Sequence, residues 1–361
     1  MENFEQVGNF EQVKNPNIFG LKEYSIWTGA MIEWWDISEK WYRDWNKLPV
    51  VDMAVMTNAC PRNCSFCFTD KNKKTLSLRE IKSIIDELAD RWTYAIDFLW
   101  EWEPTIDENF FEIIEYTTKK WIIPLVYSES ALKMSYINKD YKDFIKRLYD
   151  SWASILPKMD SLFNEEYQNS IVSSLDKKTW ENYFELRNNA IENLIKAWFN
   201  KVEKDWTTRM WFDMVLSSKN YKEVEKTLRY CRDHNLYIMF AYHLSSWRNP
   251  ELSTWEWENE LALWMSQRVE INKLVNEIDK EVYWIIRKNY NNFITWPCKE
   301  YLMIRWDWRV QPCPWNEKVI WTVWEWKMSI SEILEIMENK YPKHNRKNFD
   351  WNCPYRPEIK E

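Results

Sequence analysis

Three cysteines lie close together in the chain at the spacing C-x3-C-x2-C. They are Cys60, Cys64 and Cys67, in the segment Cys-Pro-Arg-Asn-Cys-Ser-Phe-Cys. Three thiolates at this spacing can bind three irons of a cubane [4Fe-4S] cluster, whereas structural clusters and zinc sites usually have four protein ligands. The spacing therefore predicts a cluster with one open iron. A zinc knuckle completed by a distant ligand is the alternative.

An open iron can chelate the amino and carboxylate groups of S-adenosylmethionine and pass an electron to its sulfonium. A carbon-sulfur bond then breaks and releases a 5′-deoxyadenosyl radical, which can abstract hydrogen from a substrate. The cysteines directly follow the apolar segment 50–56, and aromatic Phe66 lies just before the last of them. In these features the chain resembles the radical S-adenosylmethionine (radical SAM) superfamily, over roughly residues 50–250.

A second motif supports the resemblance. The segment Trp100-Glu101-Trp102-Glu103-Pro104 follows a predicted strand, and it becomes Gly-Glu-Gly-Glu-Pro if the tryptophans stand for glycine. It is then similar to the family's GGEP motif, whose backbone binds the amino group of the cofactor. Glycine permits that close approach because it has no Cβ. The resemblance implies that these five residues and Phe66 contribute to cofactor binding, although as printed the two tryptophans would block the site.

Two polar residues mark further strand ends. Ser128 ends the third predicted strand and Lys158 ends the fourth. Their positions are similar to those at which members of the family place polar contacts to the cofactor carboxylate and ribose. Ordinary surface polarity is the alternative for both. The sequence identifies no general base, because substrate contacts in such a protein come from side chains scattered over several strand ends.

A second set of cysteines lies near the end of the chain. Its members are Cys298, Cys313 and Cys353. With glycine at Trp308, the first two have the spacing C-x9-G-x4-C, which resembles the opening of the SPASM and twitch extensions of the same superfamily. The segment Arg305-Trp-Asp-Trp-Arg309 between them predicts a hairpin turn. The resemblance implies one auxiliary [4Fe-4S] cluster in a twitch-like domain, and a structural zinc site is the alternative.

The chain contains 27 tryptophans and only 3 glycines in 361 residues. Glycine normally makes up about 7% of a soluble protein, or about 25 residues at this length. Four tryptophans follow amphipathic segments where a helix commonly ends on a left-handed glycine: Trp92, Trp121, Trp152 and Trp198. Four more follow aspartate, as glycine does in tight turns: Trp45, Trp206, Trp308 and Trp351. We hypothesise that the gene uses UGA codons for glycine and that many of these tryptophans are glycines. A protein truly rich in tryptophan is the alternative.

Hydrophobic patterning predicts the elements that position these motifs. Apolar strand-like segments occur at about 50–57, 94–100, 122–127, 153–159, 210–216 and 237–242, and they alternate with helical stretches. A capping box from Ser77 to Glu80 predicts the start of one helix. Six alternations predict an α/β fold with a parallel sheet and ligands at the strand carboxyl ends. With the resemblance, we expect a partial (β/α)6 TIM-like barrel and a small C-terminal iron-sulfur domain.

We expect four units along the chain. They are an N-terminal arm and cover at 1–48, a radical SAM core barrel at 49–250, a helical connector at 251–290 and a twitch- or SPASM-like auxiliary cluster domain at 291–361. Cys231 lies in a predicted helix and is expected to be a small core residue rather than a ligand.

Charge and hydropathy argue against some classes of function. The net charge is -7, the isoelectric point is near 5.4 and no basic stripe occurs, so nucleic-acid binding is unsupported. No apolar segment approaches the roughly 20 residues that span a bilayer, and the acidic start lacks the features of a signal peptide. We therefore expect a cytoplasmic protein without a membrane partner, in which seven cysteines favour metal or redox chemistry over disulfides.

The resemblance implies an enzyme that cleaves S-adenosylmethionine reductively and abstracts hydrogen, with the character of a radical SAM oxidoreductase or maturase. Its expected partners are a peptide or small-molecule substrate and a reductant such as flavodoxin or ferredoxin. The alternative is a non-catalytic iron-sulfur or zinc-binding module that acts as a scaffold or electron carrier.

Overall fold

The computed structural model describes fifteen stretches of the chain. They are residues 50–56, 60–64, 67, 76–91, 93, 95–98, 103–174, 182–201, 208–242, 263, 265–283, 303–305, 309–311, 321–322 and 329–332. The expected N-terminal arm lies outside these residues. So do Trp92 and the tryptophans of the four Asp-Trp turns: Trp45, Trp206, Trp308 and Trp351.

Strands and helices alternate through most of the described chain. The strands are β1 (Val50–Ala54), β2 (Arg62–Cys64), β3 (Ala95–Phe98), β4 (Ile123–Ser128), β5 (Ser154–Pro157), β6 (Val172–Ser174), β7 (Trp211–Leu216), β8 (Tyr237–Tyr242), β9 (Met303–Arg305), β10 (Arg309–Gln311) and β11 (Trp321–Thr322). The α-helices are α1 (Leu78–Ala89), α2 (Phe110–Lys119), α3 (Ala131–Met134), α4 (Tyr141–Asp150), α5 (Glu165–Ile171), α6 (Tyr183–Lys196), α7 (Val224–Asp233) and α8 (Met265–Tyr283). Short 3-10 turns occur at Pro104–Ile106 and Tyr221–Glu223.

The six predicted strands are confirmed as β1, β3, β4, β5, β7 and β8, with ends that differ from the prediction by a few residues. β1, β3, β4 and β5 pair in parallel in that order, and β7 pairs in parallel with β8. Isolated parallel bridges, Ile155 to Met210 and Lys158 to Asp213, connect β5 to β7. The six strands therefore run side by side in chain order, so their carboxyl ends lie along one edge.

The strands are buried on both faces, and the two faces differ in chemistry. Successive side chains of a strand point to opposite faces. Val51 and Met53 of β1 belong to the main apolar core, as do their counterparts Ile96 and Phe98 of β3. Between them, Asp52 lies opposite Asp97 on the other face, and both are buried. One face is thus apolar, and the other carries acidic side chains.

Helix α1 begins where the sequence predicts. The Ser77 hydroxyl accepts a hydrogen bond from the Glu80 backbone N–H at 3.4 Å, and the Glu80 carboxylate accepts one from the Ser77 N–H, which completes the capping box. The buried stripe of this helix is formed by Ile81, Ile84, Ile85 and Leu88. Cys231 is fully buried in α7 among core residues, which confirms the prediction that it is a packing residue.

Three tryptophans that were predicted to replace glycine have a left-handed backbone. The φ angle is 64° at Trp121, 57° at Trp152 and 71° at Trp198, directly after the caps of α2, α4 and α6. At the end of α7 the equivalent residue is Asn235, with φ 54°. Asparagine tolerates this conformation, whereas a bulky residue there is strained.

Hydrogen bonds define the ends of α2, α6 and α7 as Schellman motifs. After α2, the N–H of Ile122 donates to the carbonyl of Thr117 at 3.3 Å, and the N–H of Trp121 donates to that of Thr118 at 2.9 Å. The ends of α6 and α7 have the same pair of bonds. The indoles contribute little packing in return, because Trp121 is 93% exposed and Trp152 is 64% exposed.

The predicted hairpin around residues 305–309 is confirmed. β9 and β10 pair antiparallel, with Ile304 opposite Val310. β9 also pairs in parallel with β1, so the hairpin and β11 extend the core sheet, whose order is β11-β10-β9-β1-β3-β4-β5. Within the expected connector, α8 spans Met265–Tyr283. None of the helices in the described part of the chain has the length and apolar character needed to span a bilayer.

Replacing Trp121 by glycine should stabilise the protein. Relief of the left-handed strain is worth about 1 to 2 kcal/mol, and the greater freedom of glycine in the unfolded chain offsets part of it, so we expect a net gain of about 1 kcal/mol. Urea unfolding of the cluster-free protein, with an unchanged denaturant slope, measures the gain. Asn235→Gly is the matched control and should change the free energy of unfolding much less. A loss of stability in Trp121→Gly would contradict the strain argument.

Candidate functional site

The cysteine loop, residues 60–67, follows β1, and its strand β2 pairs with β6. Residues Arg62–Cys64 form β2, which pairs antiparallel with Val172–Ser174, so that Cys64 lies opposite Val172. The N–H of Cys67 donates to the carbonyl of Cys64 at 3.1 Å, which turns the third cysteine back toward the second. The sequence-predicted ligands Cys60, Cys64 and Cys67 are therefore gathered in one compact loop.

The three thiols are available as ligands. All three side chains are partly buried, and none of the cysteines in the described residues forms a disulfide. In the part of the chain that the structure describes, no group of three or more His, Cys, Asp or Glu side chains converges as ligands for one metal ion. Convergence on one point is not required in a cubane cluster, because each thiolate binds a different iron. Three thiols in one loop are therefore compatible with a cubane cluster.

Burial shapes the acidity of these thiols. It raises the pKa of Cys60 to about 12; a hydrogen bond from the Arg62 backbone opposes that rise, and the carboxylates of Glu103 and Glu129 add to it. Burial also raises the pKa of Cys64, as do the neighbouring thiols. Protonated thiols are poor ligands, and a bound cation favours the thiolate. A metal that binds these cysteines would therefore have to displace their protons.

Glu103 anchors the loop after β3. It caps the 3-10 turn that begins at Pro104, because its Oε1 accepts hydrogen bonds from the backbone N–H and the hydroxyl of Thr105. The same Oε1 accepts a bond from the Ser128 hydroxyl at 2.8 Å, and Oε2 accepts one from the Glu129 N–H at 2.6 Å. The carboxylate is buried, and it accepts hydrogen bonds from Thr105, Ser128 and Glu129. It thus fixes the loop against the end of β4.

Ser128 is the last residue of β4 and is also buried. Its hydroxyl donates a hydrogen bond to Glu103, and the hydroxyl oxygen accepts one from the N–H of Ser130 at 2.8 Å. Its carbonyl accepts the N–H of Lys158 at 2.8 Å, which continues the pairing of β4 with β5. Two residues predicted from strand ends, Ser128 and Lys158, are therefore neighbours along the same edge as Glu103.

Lys158 lies directly after β5, between two buried carboxylates. Its Nζ is 2.9 Å from Asp160 Oδ1 and 3.8 Å from Asp213 Oδ2. Burial acts to lower the pKa of Lys158, but the charges of Asp160 and Asp213 outweigh it, so the net pKa is raised. Lys158 and Asp160 also act on the Cys64 thiol in opposite directions. A permanently charged ammonium is thus held close to the cysteine loop.

Several residues of this edge were not predicted from the sequence. They are Arg62, Glu129, Asp160, Tyr183 and Asp213. Two of them carry a signal that could have been used: Asp213 is a charged residue inside an otherwise apolar strand, and Glu129 directly follows a strand end. Arg62 and Tyr183 carry none, because their contacts depend on distant parts of the chain.

The remaining predicted site residues lie outside the described part of the chain. They are Phe66, Trp100, Glu101, Trp102, Cys298, Cys313 and Cys353. Pro104 is described, and it is a buried residue at the start of the 3-10 turn beside Glu103. The second cysteine set therefore stays a prediction, whereas the first has a defined place in the fold.

Solved structures share this fold at low sequence identity. SuiB of Streptococcus suis, bound to S-adenosylmethionine, is 13% identical with a TM-score of 0.55. The alignment covers 80% of this chain and 66% of SuiB, so the chain spans slightly less than two thirds of that protein. The structure anSMEcpe, with bound AdoMet and Cp18Cys peptide, is 14% identical with a TM-score of 0.53 and 73% coverage of both chains.

SuiB has also been solved bound to the precursor peptide SuiA. That structure is 12% identical to this chain with a TM-score of 0.52, and the alignment covers 78% of this chain and 64% of that one. No curated protein matches the sequence. Residues 54–231 match the family model described as "Radical SAM superfamily". The matched segment runs from the end of β1 to Cys231 in α7 and so includes the cysteine loop, Glu103, Ser128 and Lys158.

The titration of Glu103 should make stability depend on pH. Burial, and then the charge of Glu129, raises the pKa of Glu103 to about 7 in the folded protein, from 4.5 ordinarily. Between these values the folded state binds more protons than the unfolded state, so the free energy of unfolding should fall as the pH rises. Glu103→Gln removes that part of the decline. Urea unfolding of cluster-free protein from about pH 4.5 to 7 tests this. An unchanged pH dependence in Glu103→Gln would contradict the raised pKa.

Proposed function

Because residues 54–231 match the family model of the radical SAM superfamily, we propose that the protein is an enzyme that cleaves S-adenosylmethionine reductively at a [4Fe-4S] cluster on Cys60, Cys64 and Cys67. The observation that supports this most strongly is the gathering of three thiols in one loop after the first strand of a parallel sheet. When bound, the cluster supplies the electron that releases a 5′-deoxyadenosyl radical, which abstracts hydrogen from the substrate.

The chain's own residues bind and orient the cofactor in this proposal. The backbone of Trp100, Glu101 and Trp102 would bind the amino group, and Phe66 would also contribute to cofactor binding. Glu103 and Pro104 fix the loop that presents this backbone, since the Glu103 carboxylate is bonded to its own chain.

Lys158 and Ser128 have different tasks along the same edge. The Lys158 ammonium is oriented by Asp160 and Asp213 and provides a positive charge for the cofactor carboxylate. Ser128 donates its hydroxyl proton to Glu103, which supports a positioning role for it rather than a direct contact to the ribose.

We take a peptide as the first substrate class to test and a small molecule as the second. The support is the fold shared with SuiB, solved with the precursor peptide SuiA, and with anSMEcpe, solved with a Cp18Cys peptide. The reaction type would be that of an oxidoreductase or maturase. The electron would come from a small redox protein such as flavodoxin or ferredoxin.

The proposed architecture is a partial (β/α)6 barrel followed by a twitch-like domain. The order of six parallel strands supports the barrel. Cys298, Cys313 and Cys353 would hold the auxiliary [4Fe-4S] cluster, and the β9–β10 hairpin that precedes Cys313 supports the match to the twitch opening. The division at 1–48, 49–250, 251–290 and 291–361 is proposed with it.

We also propose that many printed tryptophans are glycines encoded by UGA. The support is the left-handed backbone of Trp121, Trp152 and Trp198 at three helix ends. A fourth helix end with the same geometry has Asn235, a residue type that tolerates it. Reading the codons tests the proposal directly. UGA at most of the 27 positions is the expected result, and UGG at most of them would overturn it.

Cys64→Ala should abolish formation of 5′-deoxyadenosine from S-adenosylmethionine. The experiment uses protein with glycine at the UGA positions, reconstituted anaerobically with iron and sulfide and reduced with dithionite. Removal of one ligand leaves two thiolates for the cubane, so iron content should fall by about four per chain. Cys231→Ala, which removes a buried thiol of the core, is the matched control and should retain both iron and activity.

The alternative, a non-catalytic scaffold or electron carrier, predicts a different outcome. Reconstituted wild-type protein would then bind iron and form no 5′-deoxyadenosine. Cys353→Ala separates the two cysteine sets, because it should lose the auxiliary cluster and keep at least part of the cleavage activity. Complete loss of cleavage in Cys353→Ala together with loss of all iron would contradict two independent clusters.

A further inference from the structure

Arg62 lies between two of the predicted ligands, and its side chain is buried. Its Nε and Nη2 donate to Oε2 of Glu129 at 3.0 and 2.6 Å, and its guanidinium carbon is 4.4 Å from the centroid of the Tyr183 ring. A buried arginine is costly unless it is paired with good geometry. Here one carboxylate oxygen accepts two N–H groups, and the ring of Tyr183 covers the guanidinium.

Glu129 is fixed as firmly as Arg62. Its second oxygen accepts the N–H of Leu132 at 2.6 Å, and its own N–H donates to Glu103 at 2.6 Å. Its carbonyl accepts the Tyr183 hydroxyl at 3.1 Å. The pair therefore joins the cysteine loop to the loop after β3, to the end of β4 and to α6, and neither charge can move without breaking these bonds.

The two charges lie within electrostatic range of the cysteine loop. Arg62 is a neighbour of Cys60 and Cys64 along the chain, and the Glu129 carboxylate is close enough to Cys60 to act on its thiol. The reduction potential of an iron-sulfur cluster depends on the net charge and hydrogen bonds around it. In this structure the guanidinium of Arg62 and the carboxylate of Glu129 are in contact, so each offsets the field of the other at the ligands.

We propose that Arg62 and Glu129 are a positioning pair that holds the cysteine loop and, by mutual neutralisation, sets the reduction potential of the cluster. This rests on the proposed function, because it requires the cluster on Cys60, Cys64 and Cys67. Arg62 and Glu129 are positioning residues and touch neither the substrate nor the reacting atoms. Loss of one partner leaves a buried charge beside the loop, whereas loss of both restores neutrality.

The first test measures the reduction potential by EPR-monitored titration of the reconstituted protein. Glu129→Gln removes the carboxylate that offsets the charge of Arg62, and arginine stays charged in proteins. The potential should therefore become more positive, because a nearby positive charge favours the reduced cluster. The double variant Arg62→Met with Glu129→Gln should return toward the wild-type value. An unchanged or more negative potential in Glu129→Gln, or an equal shift in the double variant, would overturn the proposal.

The second test uses cluster-free protein and so does not depend on the proposed chemistry. Breaking a buried pair on one side is strongly destabilising, whereas replacing both partners by neutral groups is often tolerated. In Glu129→Gln, hydrogen exchange of the loop amides at residues 60 and 62–64 should accelerate on the order of a hundredfold. In the double variant it should be close to wild type. Equal protection in all three proteins, or equal loss in both variants, would overturn the positioning role.

The two readouts distinguish failure of this proposal from failure of the proposed function. If exchange and potential respond as expected but no 5′-deoxyadenosine forms, the pair stands and the enzyme hypothesis falls. If 5′-deoxyadenosine forms normally while the potential of Glu129→Gln is unchanged, the enzyme hypothesis stands and the pair has no role in setting the potential.

Discussion

Two buried carboxylates hold together loops that would otherwise be independent. Glu103 and Glu129 lie in the segments that follow β3 and β4, and a carboxylate can be buried only where donors surround it. The donors come from Arg62 of the cysteine loop, from the hydroxyls of Thr105 and Ser128, and from backbone N–H groups. Because each carboxylate must satisfy these partners at once, the positions of the three loops are coupled. The contact of Arg62 with Glu129 therefore helps to position the neighbouring cysteines.

The sheet explains why the network forms at that edge. The strands β1, β3, β4 and β5 are parallel neighbours in chain order, so the loops at their carboxyl ends meet. One face of the sheet packs its apolar residues into the core, and the other bears Asp52, Asp97 and Asp213. An acidic side chain buried on that face stays ionised more readily beside a cation from the end of an adjacent strand, as Asp213 has in Lys158. The described residues of the candidate site therefore lie along that edge.

Backbone geometry links the composition of the chain to its fold. At three helix ends the hydrogen bonds of the cap require a left-handed residue, and the printed residue is tryptophan. The ring at Trp121 is almost fully exposed, so it brings no burial to offset the strain. The end of α7, which has the same geometry, uses Asn235, a residue type that tolerates it. The fold therefore demands residues without a bulky Cβ substituent where the sequence shows the bulkiest one.

Much of this protein could be predicted from the sequence, wherever the cause is local. The capping box at Ser77, the hairpin around residues 305–309, the six strands and the left-handed ends of α2, α4 and α6 each depend on residues within a few positions of one another. The spacing of Cys60, Cys64 and Cys67 is equally local, and it carried the family resemblance that the match over residues 54–231 supports.

Tertiary structure alone decided which distant groups pair. Arg62 and Glu129 are 67 positions apart, and their contact exists because strand order brings the ends of β1 and β4 to one edge and burial forces the two charges together. Lys158 meets Asp213 for the same reason, across the bridge from β5 to β7. The pairing of β9 with β1 could not be predicted from the sequence either. A local pattern specifies an element, whereas the partner of a buried charge depends on how all the elements pack.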